Sequence, residues 1–128
     1  MSYFADLTPH TYSPNDGLRL LNIGWLDAAV VFTRGTTPQR FHEALRVLCR
    51  KPVYLHRGWH WCPFCARDPS NDLINWPTAR SERVGNGQIR VQGEADLWYV
   101  APTLIHHYIV SHEYQPPAAF IEAVLKAQ

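Results

Sequence analysis

Two cysteines three positions apart, Cys62 and Cys65, lie in the run His60-Trp61-Cys62-Pro63-Phe64-Cys65. That spacing lets two thiolates converge on one tetrahedral ion. Pro63 fixes a backbone dihedral and preorganises the turn between them. His60 precedes Cys62 by two positions, so in an extended segment both side chains fall on one side. The chain holds 3 cysteines, too few for a second CxxC pair. A closed site must therefore recruit histidine or carboxylate.

The remaining candidates are His106, His107 and His112, in a segment with helical periodicity. At 100° per residue, Leu104, Ile105, Tyr108 and Ile109 form an apolar stripe with His112 at its centre. His107 lies on the flank, and His106 points to solvent. A buried imidazole needs a partner. A backbone carbonyl would serve, and so would a metal with two thiolates. The expectation is one zinc ion held by His60, Cys62 and Cys65, with His112 closing the tetrahedron and His107 or water as the alternative. His107 and His112 are about 140° apart on an ideal helix. They can share one ion only if the helix ends between them. Two thiolates with two imidazoles suit zinc over harder ions.

The run Trp61-Cys62-Pro63-Phe64-Cys65 also resembles the active-site motif of thioredoxin-like proteins, glutaredoxins in particular. Ala101-Pro102-Thr103 resembles the cis-proline stretch of that fold. The resemblance implies thiol–disulfide exchange, with Cys62 as nucleophile and Cys65 as the resolving thiol. Against it, Asp68-Pro69-Ser70-Asn71-Asp72 would break the long helix that follows the motif in that fold. The motif also comes late in the chain. No Ser-His-Asp set, phosphate loop or HExxH helix occurs. A deaminase would need HxE upstream of its cysteine pair, and none is present. No catalytic residue is assigned.

The elements that must position these residues are legible in outline. Met1 to Gly17 is rich in turn residues, and Arg19 to Leu26 reads as a strand with Leu21, Ile23 and Trp25 on one face. Gly24 marks a bulge or a close backbone approach. Thr37-Pro38 opens a helix, Thr37 as its cap, with Phe41, Ala44, Leu45, Leu48 and Cys49 on the buried side. Val53 to His56 is a short strand. Arg83-Val84 and Gln88 to Val91 read as a hairpin turning on Gly85-Asn86-Gly87. Leu97 to Val100 adds an antiparallel strand. Pro102-Thr103 and Pro116-Pro117 each open a further helix. Together they predict an α+β domain: a small antiparallel sheet packed by about three helices, with a zinc-knuckle-like loop.

The 128 residues suffice for one domain, read as 1–128. At 46% hydrophobic and 18% charged, the chain can build a core. A formal net charge of +1 makes nucleic acid an unlikely partner, despite Arg46, Arg50, Lys51 and Arg57. No membrane-spanning run and no leader peptide is read, and few cysteines suggest the cytoplasm. Trp59, Trp61, Phe64 and Trp76 flank the cysteine run. They would roof the metal site, or anchor another protein. The expected role is a zinc-binding interaction or regulatory module, monomeric or a small homo-oligomer.

The whole chain resembles a family of small bacterial proteins of unknown function. The resemblance rests on Tyr3 to Pro9, Asn22-Ile23-Gly24-Trp25-Leu26, and Arg57-Gly58-Trp59-His60 with Cys62 and Cys65. It continues through Gly85 to Val91, Ala101-Pro102, His107-Tyr108, His112, Tyr114, Pro116-Pro117 and Phe120-Ile121. It implies one full-length domain and carries no activity with it.

Overall fold

Alternation along one strand sets the layout of the whole sheet. In Leu97–Pro102, Leu97, Tyr99 and Ala101 face the main core, while Trp98 and Val100 join a second cluster on the opposite face. The computed structural model describes residues 3–11, 17–27, 29–62, 64 and 84–127, with backbone alone for 54–61 and 84–86. In chain order the elements are β1 (Arg19–Asn22), α1 (Gln39–Cys49), β2 (Tyr54–Trp61), β3 (Val84–Gln92), β4 (Leu97–Pro102), α2 (Ile105–His112) and α3 (Ala118–Lys126). The sheet order is β1-β4-β3-β2. The class is α+β, as the sequence indicates. No helix among the described residues is long and apolar enough to cross a membrane.

The sheet is mixed rather than antiparallel throughout. β3 pairs with β2 and with β4 in antiparallel fashion, but β1 runs parallel to β4, with Arg19 opposite Leu97 and Asn22 opposite Val100. A parallel pair needs a long crossover. Here α1, β2 and β3 all intervene between its two strands. The expected hairpin at Gly85-Asn86-Gly87 is also corrected. These residues lie inside the continuous strand β3, where pairing with β2 holds them extended, while β4 pairs only from Gln88 onward. The β2–β3 register shifts between Leu55, opposite Gly87, and His60, opposite Gly85, so β2 carries the irregularity.

The three helices among the described residues pack over one face. Phe41, Ala44 and Leu45 of α1, Ile105, Tyr108 and Ile109 of α2, and Phe120, Ala123 and Val124 of α3 are buried against Ile89, Val91, Tyr99 and Ala101 of the sheet. Helix α1 begins as its proline predicts, but Thr37 does not cap it. Pro38 holds the cap position, and its carbonyl accepts from Phe41 and His42 N–H. The Thr37 hydroxyl instead pairs with the His42 imidazole. Pro102 ends β4 rather than opening α2, which starts three residues later.

The other face is covered by Trp25 and the N-terminal segment. Phe4 pairs with Trp25 and Pro9 with Leu21 as isolated bridges. His10 N–H donates to the Leu20 carbonyl and Leu7 N–H to the Asn22 carbonyl. The His10 ring stacks on Trp25 at 5.9 Å and shares a 2.6 Å hydrogen bond with the Asn22 side chain. Ile23 and Trp25 enter different clusters, against the expected single face. Gly24 between them has φ +76°, which breaks the period-two alternation. A Cβ at Gly24 would lie 2.8 Å from Ile105 Cδ1. Gly24→Ala adds backbone strain to that clash, and denaturant melts should show a loss of about 1–3 kcal/mol.

Candidate metal centre

β2 ends at Trp61 and delivers the next residue, Cys62, into the main core at 0% exposure. α2 brings two histidines to the same point. His107 is 8% exposed and His112, the last residue of the helix, is half-buried. The Cys62 Sγ lies 3.4 Å from His112 Nε2. The rings of His107 and His112 meet edge to face at 5.0 Å. One ligand atom from each of the three lies within 4.8 Å of the others. A tetrahedral zinc with ordinary bond lengths separates its donors by about 3.3–3.6 Å. The Cys62–His112 edge already has that length, and the other two are no longer than 4.8 Å.

Five positions separate His107 from His112, yet α2 does not end between them. This overturns the condition set by the 140° projection. Helical Cα–Cβ bonds tilt toward the N-terminus. The imidazole of His112 therefore leans back over the preceding turns toward His107, and ring length covers the remaining offset. The helix stops immediately after, at Glu113, whose φ of 58° is left-handed and whose N–H bonds the Tyr108 carbonyl.

Burial lowers the pKa of His112 from its ordinary value, and the charge of Arg34 adds to the effect. The neutral imidazole thereby favoured is the form that binds a metal. Arg34 also donates from Nη1 to the His112 carbonyl at 3.4 Å and stacks over the Phe32 ring at 4.7 Å. Nothing in the sequence flags Arg34, since it lies 78 positions from His112. Phe64 lies against the cluster, 5.1 Å from His112, 5.8 Å from Tyr108 and 5.2 Å from Phe32.

Of the five candidate ligands, Cys62, His107 and His112 come together. The His60 backbone belongs to β2, opposite Gly85. Its side chain lies outside the described residues, as do those of Trp59 and Trp61, and the whole of Cys65 and Trp76. The zinc-knuckle-like loop falls largely in the same stretch. His106 is half-buried rather than turned to solvent. Cys49 packs against the core away from the cluster. Burial pushes its thiol pKa up to about 12, offset in part by a backbone hydrogen bond at His106, so it stays a neutral packing group.

The three-donor set can hold a borderline-soft divalent cation. The family model Domain of unknown function (DUF7919) matches residues 2–125. No curated protein and no solved structure matches the chain.

Proposed function

The chain belongs to the DUF7919 family, and on that premise we propose that it is a small zinc-binding domain acting as an interaction or regulatory module for another protein. One observation carries the metal reading: a thiol and two imidazoles from elements distant in sequence converge within 4.8 Å. Cys62, His107 and His112 would hold the ion, and His60 or Cys65 is the candidate for its fourth position. A bound zinc would fasten the end of β2 to the end of α2. Its binding energy would then be folding energy.

The partner reading rests on less: a near-neutral charge that gives nucleic acid little purchase, and the absence of an assigned catalytic group. The domain is proposed to work in the cytoplasm as a monomer or a small homo-oligomer. A second reading, thiol–disulfide exchange by Cys62 and Cys65, draws on the Cys62–His112 contact. The full burial of Cys62 opposes it, because a nucleophilic thiol must be reached by its substrate.

Elemental analysis of protein purified without a histidine tag tests the proposal. We expect one zinc per chain, and a clear loss of zinc in both His107→Ala and His112→Ala. A wild-type content far below one per chain ends the metal reading. Reduction of insulin by the metal-free protein would establish the redox reading in its place.

A further inference from the structure

A cavity of about 330 Å³ opens between the N-terminal segment and the stretch that follows β1. Its size is at the low end for small-molecule sites. Its walls combine two kinds of group. Tyr3, Phe4 and Phe32 are the aromatic residues of its lining, and Asp6 and Asp27 the acidic ones. Val31 stands at the mouth, 95% exposed.

The carboxylates are held in place but not neutralised. Asp6 accepts from Gly24 N–H at 2.9 Å through Oδ1 and from the Tyr114 hydroxyl at 2.7 Å through Oδ2. Asp27 accepts from Ala29 N–H at 2.9 Å through Oδ1. All of these donors are neutral. Burial and the Asp6 charge raise the Tyr114 pKa, so its hydroxyl remains a proton donor. Among the described residues no ion pair reaches Asp6 or Asp27. The Arg34 guanidinium already lies over the Phe32 ring at 4.7 Å, so that ring is partly engaged by a cation of the chain itself.

Two carboxylates and three rings around one cavity select for positive charge carried on an apolar body. Rings attract a cation through their quadrupole, and a carboxylate supplies the counter-charge. A hard metal ion is a poorer match, because it demands six or more oxygen ligands. We propose that the cavity lined by Asp6, Asp27, Tyr3, Phe4 and Phe32 binds a small organic ammonium ion. None of its lining residues is a candidate metal ligand, although Phe32 adjoins Phe64 at 5.2 Å, and the site stands whether or not zinc is present.

The test uses the full chain, isotope-labelled and followed by NMR, with choline chloride and tetramethylammonium chloride as probes. The neutral carbon isostere of choline serves as the control. Both cations should give saturable shifts confined to residues 3–6 and 26–33, and the isostere should bind at least about tenfold more weakly. Asp27→Asn keeps the oxygen that accepts from Ala29, so the fold should survive. It should weaken both cations about tenfold. Val31→Lys, at an exposed position, places a competing ammonium at the mouth and should abolish binding. Absence of saturable shifts overturns the proposal. So does equal binding of the isostere, or unchanged binding in folded Asp27→Asn.

Discussion

Cys62→Ser should lower the melting temperature of the purified protein by more than 10 °C, and a strong chelator should do the same to the wild type. A structural zinc in a small domain contributes apparent binding energy of about 10–16 kcal/mol. Each kcal/mol moves the midpoint of a domain this size by about 3–5 °C. Loss of one ligand, or of the ion, is therefore a large fraction of total stability. The decisive comparison is the double treatment: chelator should have no further effect on Cys62→Ser. Equal melting of wild type and variant, each with and without chelator, would leave Cys62 as a packing residue. Acid should act in the same direction. The folded pKa of His112 lies below its unfolded value. The unfolded state therefore takes up protons first, and stability is lost as pH falls through the ordinary imidazole range. Proton competition for the ligands adds to that loss.

Trp25→Ala is expected to cost about 3–5 kcal/mol, or roughly 10–20 °C in melting temperature. Trp25 is 1% exposed and is the largest fully buried side chain of the second cluster. Its ring meets Phe4 at 5.6 Å and His10 at 5.9 Å. Its indole N–H donates to the Val100 carbonyl at 2.9 Å. Trp25→Phe should lose much less. It retains ring contacts, and the Val100 carbonyl still accepts from Ile23 N–H. The lost hydrogen bond is then worth about 1 kcal/mol. Chemical denaturation of the two variants measures both numbers. Losses of similar size would mean that the hydrogen bond, and not the packing, holds the second cluster.

Local chemistry explains what was readable in the sequence. α1 and α3 each combine a proline start with apolar residues at helical spacing, and both signals lie within a dozen residues. β4 shows its alternation directly. The ligand candidates were visible as residue types, and three of the five converge. What was hidden is non-local. No local pattern says that Arg19 will lie opposite Leu97 in parallel register. Gly85-Asn86-Gly87 has turn chemistry, yet pairing with β2 keeps it extended, so tertiary pairing outweighs propensity. At Thr37 the competitor is local instead: its hydroxyl pairs with the His42 imidazole five positions on and does not cap the helix. At the Cys62, His107 and His112 cluster the idealised helical wheel misled, because it projects Cα positions and ignores the lean and length of imidazole side chains.

The parallel pairing of β1 with β4 has a consequence for synthesis. Trp25 and Val100 are 75 residues apart, and the Val100 carbonyl closes the contact between them. At 5–20 residues per second, a ribosome needs roughly 4–15 s to cover that distance. Throughout that interval Leu20 and Trp25 have emerged without the strand that buries them. The nascent chain thus carries an apolar segment near its start that cannot be folded away until most of the domain exists. Holdase chaperones would find their target there, and a pause in translation before Leu97 would prolong the exposure.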